Sequence, residues 1–320
     1  MKFDINEIPF KFVFAIATYK RESDLRRLIS SIDASIRICN KNIKVSILIR
    51  DNDNKSKNNA RDLQNFSPLS SIYYIRNIFN EGGKNNVWQV LKEATKYGEY
   101  VVVVSDDDYI LPDFFNILCR YLEQTNYDYI VTNFFSQNFD FKAKKNQLGL
   151  EKPFLKNIVS YKSDVIISNR IITGTCFTSE LINRVTSLID EKVYLEQFYP
   201  CQFIGCFSKN CLRVNERMSI HQVGNKIFWE DYEVYNDMVL SRIEGYIKAF
   251  QFEDDKSEMK LLLLKTILNY PIWFAFRLIL TKNNIPIDVR FKFLIYKAFH
   301  LKIIRDLMRL TYFFITKIKS

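Results

Sequence analysis

The stretch "VVVVSDDDYILP", residues 101–112, decides how this chain is read. Four β-branched residues in a row favour an extended segment buried on both faces. They run straight into Asp106, Asp107 and Asp108. Adjacent carboxylates repel, and desolvating them is costly unless something positive sits beside them. Two carboxylates at i and i+2, on a turn leaving a strand, can both point at one cation, and oxygen donors suit Mg²⁺ or Mn²⁺. Mg²⁺ keeps much of its shell for water and phosphate oxygens. Asp106 and Asp108 therefore read as a clamp for a metal–diphosphate complex. The plain competitor is a solvated acidic turn at a helix N-terminus, where Asp is favoured anyway.

Working outward, the same texture repeats. Apolar runs at 12–17 ("FVFAIA"), 45–50 ("VSILIR"), 71–76 ("SIYYIR"), 100–105 and 127–135 read as buried strands. Between them, 25–38, 82–98 and 112–125 carry apolar residues at helical spacing. Ser23 or Asp24 is placed to cap the first helix, and Pro112 to open the third. Strands alternating with helices predict a mostly parallel sheet covered on both faces. In such sheets ligands bind at the carboxyl ends of the strands. The polar clusters fall there: Thr18-Tyr19, Asp51-Asn52, Asn80 to Gly83, and the Asp triplet. Residues 142–154 read as a loop, with helices near 178–189 and 193–207 and a mostly helical stretch from about 230 to 318.

Composition sets the class. The chain has 320 residues, 48% of them hydrophobic, enough for a substantial core. Its six cysteines form no C-x-x-C pair and there are only two histidines, which argues against a zinc site and for reduced thiols in a cytoplasm. The N-terminus has no apolar stretch of the secretory kind. The net charge is +10, and residues 281–320 supply a net +7 of it, with nine Lys or Arg against Asp288 and Asp306. Residues 261–280 are long enough to span a bilayer, but Lys265, Asn269, Pro271 and Arg277 interrupt them, favouring a packed or interfacial helix pair. The tail mixes Lys and Arg with Phe, Leu, Ile and Tyr at helical spacing, as in a helix lying on an anionic leaflet.

Four stretches in order, 14–32, 45–54, 76–94 and 99–115, resemble family 2 glycosyltransferases of the GT-A fold. The resemblance covers roughly residues 10–135 and extends more weakly to about 235. It is closer to bacterial enzymes that build surface polysaccharides, including abequosyltransferase-like proteins, with "YPCQ" (199–202) similar to a downstream "YPQ" pattern. The resemblance implies a GT-A catalytic domain over 1–235, its halves 10–135 for the nucleotide-sugar donor and 136–235 for the acceptor, and a basic helical extension over 236–320. It implies that Thr18, Tyr19, Asp51, Asn52, Gly82, Gly83, Asn86, Asp106 and Asp107 contact the donor, and that Asp108 with Asp106 and His221 holds Mn²⁺ or Mg²⁺. Lys20 stands where many relatives carry Asn. An Asx turn competes for Asp51.

Such enzymes invert the anomeric centre by direct displacement, so the acceptor hydroxyl needs a general base. The second half offers Glu196 and Asp231, with Glu230 and Asp190 as further candidates. "GTCFTSE" (174–180), Asn225 and Trp229 are expected near the acceptor. The implied acceptor is a glycan, lipid-linked, reached by an enzyme peripheral on the inner face of the plasma membrane. Two readings compete. A sugar nucleotidyltransferase shares the sheet and carboxylates, but the first strand is not followed by a Gly-rich basic loop. A non-enzymatic basic module would explain the tail alone, yet no nucleic-acid motif accompanies it and nucleic acid is not an expected partner.

Overall fold

The computed structural model describes residues 9–140, 145–149, 162–168, 172–188, 199–223, 232–252 and 256–268. Backbone contacts divide the chain into Met1–Gly245 and Tyr246–Ser320.

The first unit is built on one sheet whose strands stand side by side in the order 71–76, 43–51, 10–18, 100–105, 175–178, 129–140, 211–223 and 109–110, with 145–149 paired to 129–140. Strands β1 (Phe10–Thr18), β2 (Ile43–Asp51), β3 (Ser71–Arg76) and β4 (Tyr100–Ser105) are parallel. Helices α1 (Glu22–Ile38), α2 (Ala60–Gln64), α3 (Gly83–Ala94) and α4 (Phe114–Leu122) lie among them in sequence. The continuous apolar runs have a direct cause. Phe12, Phe14 and Ile16 face one side of the sheet and belong to the core that includes Leu25, Leu28, Phe114 and Phe115. Phe12 and Phe115 rings lie 5.2 Å apart, Phe14 and Phe114 6.0 Å. Their neighbours Val13 and Ala15 point the other way and are also fully buried. With both faces covered, alternation disappears from the sequence. Val101 to Val104 obey the same rule.

Beyond β4 the sheet turns mixed. β8 (Thr175–Thr178) runs antiparallel to both β4 and β6 (Tyr129–Asp140), and β9 (Cys211–Val223) runs parallel to β6. The two-residue β5 (Tyr109–Ile110) pairs antiparallel with β9. The stretch read as a loop contains β7 (Lys145–Gly149), an antiparallel partner of β6. Helices α5 (Lys162–Ser168), α6 (Ser179–Leu188) and α7 (Pro200–Cys206) complete this half. Residue Arg21, rather than Ser23 or Asp24, caps α1, and without a side-chain bond. Lys20 at φ 57 swings the chain into the helix two residues early, and the Arg21 side chain is drawn to the carboxylates.

Helix α8 (Tyr232–Phe252) crosses the division point, and the second unit also contains α9 (Lys256–Leu268), which buries Met259, Leu262 and Leu263. No helix among the described residues is long and apolar enough to cross a membrane. Most of 261–280 and all of the basic tail lie outside the described residues.

Candidate active site

Register brings the strand ends to one line. Thr18 pairs with Asp51, Asp51 with Arg76, and Ala17 with Ser105. The residue after Ser105 therefore meets Thr18, whose hydroxyl donates to Asp106 Oδ2 at 2.7 Å. Arg21 Nη1 reaches Asp106 Oδ1 at 3.4 Å and pairs with Asp107. Asp107 also accepts from Ser105 Oγ at 2.6 Å, so its carboxylate is turned toward Arg21 and Ser105. Arg27 donates to the Asp107 carbonyl at 3.0 Å and to Gln222 Oε1 at 2.7 Å, tying α1 to the far strand. Burial pushes the Asp106 carboxyl up to about 6, against the lowering by the Thr18 hydroxyl and the Arg21 charge. A cation above it would act in the lowering direction.

Asp108 is fully buried. Its Oδ2 accepts from the Thr173 hydroxyl, and its Oδ1 from the Gln222 backbone N–H at 2.9 Å. His221 Nδ1 stands 3.0 Å from Oδ1 and 3.2 Å from Oδ2. The cause of this meeting is the short β5–β9 ladder. Tyr109 pairs with Ile220 in antiparallel sense, so the residues just outside the pair, Asp108 and His221, face each other. A carboxylate oxygen and an imidazole nitrogen at this range are held together by a proton or a cation between them. Thr173 Oγ1 accepts from the Ser105 N–H at 3.0 Å, which fixes the hydroxyl's other side.

The loop between β3 and α3 rests on a lattice of buried amides. Asn52 Nδ2 donates to the Gly82 carbonyl at 3.2 Å, and Asn86 Nδ2 to the Arg50 carbonyl at 2.9 Å. Asn77 Nδ2 donates to Asn52 Oδ1 at 2.6 Å and Asn86 Oδ1 at 3.2 Å. All three asparagines are buried. Asp51 is buried too: it accepts from the Asp53 N–H at 2.9 Å, an Asx turn, and from the Tyr74 hydroxyl at 2.6 Å. Desolvation and the Asp51 carboxylate push the Tyr74 phenol up to about 12. Gly82, at φ 80, turns the chain into α3, and a Cβ on Gly82 or Gly83 would meet nothing within 4 Å. That open space above the helix N-terminus is the kind of place a phosphate occupies. Tyr19 is exposed in the turn after β1, with Lys20 Nζ 4.9 Å from its ring centroid.

Of the expected residues, the structure pairs Thr18 with Asp106 and, separately, His221 with Asp108, and it buries Asp51, Asn52 and Asn86 around the turn at Gly82. Glu196 and Asp231, with Asp190, Asn225, Trp229 and Glu230, lie outside the described residues. Sequence reasoning missed Arg21, Arg27, Asn77, Thr173 and Gln222. Asn77 is the clearest loss, since an Asn just after a strand looks like any turn residue. Replacing Asn77 with Ala removes two donated hydrogen bonds from buried carbonyls. Stability is expected to fall by about 1–3 kcal/mol, read by urea denaturation, and an unchanged midpoint would refute the supporting role.

This architecture has solved counterparts. The fold is similar to residues 1–349 of S. aureus TarS, with a TM-score of 0.60 at 12% identity over 88% of this chain and 82% of that one. The same segment in complex with UDP-GlcNAc gives 0.58 at 11% over 88% and 83%. The mannosyltransferase PcManGT from Pyrobaculum calidifontis, in complex with GDP-Man and Mn²⁺, gives 0.56 at 13% over 92% and 81%. Likeness at such identity is likeness of fold, and the fold is GT-A. The family model "Glycosyl transferase family 2" matches residues 13–185, more than half of the chain. The chain belongs to that family and is a glycosyltransferase. No curated protein sequence matches it.

Proposed function

We propose that the protein is a metal-dependent, inverting glycosyltransferase that moves a sugar from a nucleotide-sugar donor to a glycan acceptor carried on a lipid. The observation that supports this most is the meeting of Asp108 and His221 beside Asp106, from positions 113 residues apart in the chain. Among the described residues no cluster of three or more His, Cys, Asp or Glu is arranged to hold a metal. The donor set nevertheless fits Mn²⁺ or Mg²⁺, which need few protein ligands when phosphate and water complete the shell. Asp108, with His221 Nδ1 3.0 Å from its Oδ1, and Asp106 would be the residues that hold the ion. When bound, such an ion supplies charge neutralisation for the leaving diphosphate.

The chain's own residues take the remaining tasks in this reading. Tyr19 and the open loop at Gly82-Gly83 receive the nucleotide. Thr18 and Arg21 hold Asp106 toward the ribose or sugar, and Asp51, Asn52 and Asn86 keep the loop in place from behind. A base deprotonates the acceptor hydroxyl as it displaces the diphosphate, which inverts the anomeric centre. Glu196 and Asp231 are the proposed bases. Solved relatives of this fold carry UDP-GlcNAc in one case and GDP-Man with Mn²⁺ in another, which supports a nucleotide-sugar donor and Mn²⁺. The proposed acceptor is an intermediate of a surface polysaccharide, as in the abequosyltransferase-like enzymes the sequence resembles. The basic C-terminal segment, residues 281–320, is proposed to bring the enzyme to the inner leaflet where that acceptor resides.

The test is thermal stabilisation by UDP, GDP, CDP and dTDP, each with and without Mn²⁺, beside Asp108→Ala. One nucleotide at a hundredfold excess over its Kd is expected to raise Tm by about 5 °C or more, with both the metal and Asp108 required. Folded protein that responds to none of the four would sink this reading.

A further inference from the structure

The loop leaving β3 offers two large apolar side chains to water. Ile78 is 87% exposed and Phe79 63%. The backbone beneath them is tied down on every side. Asn54 Nδ2 donates to the Ile78 carbonyl at 3.2 Å, and Asn77, immediately before, is buried in the amide lattice. Asn80 Oδ1 accepts from the Gly82 N–H at 2.9 Å, and Arg50 Nη2 grips Glu81 at 2.9 and 3.0 Å. The exposure is therefore built into the loop, not a result of a frayed end. Folding gains nothing from it, and an apolar pair fixed in solvent on a tethered loop becomes a contact point where the charge around it suits the partner.

The charge around this tip has one sign. Lys20, Lys55 and Lys57 are exposed on the neighbouring turns, and Arg76, exposed at the end of β3, donates from Nη2 to the Asn58 carbonyl at 3.0 Å. The carboxylates of the same turns are less exposed and each has a partner: buried Asp51 holds Tyr74 and the Asp53 N–H, half-buried Asp53 takes the Lys55 N–H at 3.0 Å, and Glu81 is paired with Arg50. The turns are joined, since the Asn52 N–H donates to the Thr18 carbonyl at 2.9 Å and the Asn77 N–H to the Asp51 carbonyl at 2.8 Å.

We propose that Ile78 and Phe79 are a wedge that enters an anionic lipid surface, with Lys20, Lys55, Lys57 and Arg76 meeting the headgroups. A bilayer suits this tip better than a protein does. Two side chains on one loop tip fall far short of the roughly 1,200 Å² that a stable protein interface buries. Insertion to side-chain depth, backed by lysines, is how interfacial segments hold a membrane. This contact sits on the same strand-end edge as Asp106 and Asp108, so it would turn the donor mouth toward the bilayer. It is read from the loop alone and does not rest on the proposed donor or acceptor.

The experiment is co-flotation of the full chain with vesicles of phosphatidylcholine and phosphatidylglycerol in equal parts, and of phosphatidylcholine alone. The double variant Ile78→Ser, Phe79→Ser is expected to lose at least about tenfold in partitioning, with Tm unchanged or raised because both side chains are solvent-exposed. Lys55→Glu with Lys57→Glu is expected to lose about fivefold or more per lysine on the anionic vesicles only, and added salt to weaken the wild type in the same way. Four results overturn the proposal: no vesicle binding by the wild type; wild-type binding by the double variant, which puts the contact elsewhere on the chain; loss of nucleotide stabilisation with vesicle binding intact, which makes the tip part of the donor pocket; or a change in oligomeric state with vesicle binding intact, which makes it a protein contact.

Discussion

Asp108→Asn is expected to lower kcat/KM for sugar transfer by about 10²- to 10³-fold while leaving a folded protein. The substitution changes charge at constant shape. Asn keeps an oxygen for the Gln222 N–H, which now donates at 2.9 Å to Oδ1. Its amide nitrogen turns to Thr173, whose hydroxyl already accepts from the Ser105 N–H and can also rotate to accept there. Structural support is thus largely retained. What is lost is the negative charge that, in the proposed mechanism, draws a divalent ion and opposes His221. Activity assays across a Mn²⁺ titration, with Tm as the control, separate the two contributions. A loss of activity that tracks a large fall in Tm would make Asp108 a buried structural acceptor and move the metal role away from it. Full activity at ordinary Mn²⁺ would do the same more directly.

Gly174→Ala is expected to be the most destabilising single methyl in the sheet unit, at about 2–4 kcal/mol. Gly174 has φ +80, where an L side chain is strained, and an added Cβ would land on Thr132 Oγ1. That hydroxyl is itself buried without a hydrogen-bond partner among the described residues, as is Ser219 Oγ nearby. Thr132→Ala alone is therefore expected to cost little, and in the double variant it returns the steric part while the φ strain stays. A double-mutant cycle by urea denaturation reads the coupling directly. Additive effects would mean that the backbone, not the hydroxyl, fills that space. The substitution should reach activity as well. Gly174 follows Thr173, the hydroxyl that donates to Asp108, and its N–H is anchored to the Val103 carbonyl at 2.9 Å. A shift of this turn loosens the Asp108 carboxylate before it unfolds anything.

The strands of the parallel half were legible because burial on both faces writes itself into sequence as unbroken runs such as "FVFAIA" and "VVVV". The second half was not legible in the same way. β9 reads "CLRVNERMSIHQV", in which Arg213, Glu216 and Arg217 interrupt any period. Two of those charges meet groups distant in sequence: Glu216 pairs with Arg120 and accepts from the Tyr121 hydroxyl at 3.1 Å, and Arg217 lies over the Phe135 ring at 4.4 Å. Their partners are about a hundred residues away or on a neighbouring strand, so no local pattern announces them.

The sequence by itself determined the alternation of strand and helix, the face-to-face burial of the first four strands, and the placing of the Asp triplet at a strand's carboxyl end. Each follows from local chemistry: β-branched runs, helical spacing, and the short reach of a turn. Only the tertiary structure decided which groups those carboxylates face. Asp107 turns to Arg21 and Ser105, Asp106 to Thr18, and Asp108 to Thr173, Gln222 and His221. Three neighbours in sequence thus acquire three different surroundings. The physical reason is that strand register, set by ladders such as Tyr109 with Ile220, selects long-range partners that sequence proximity cannot encode.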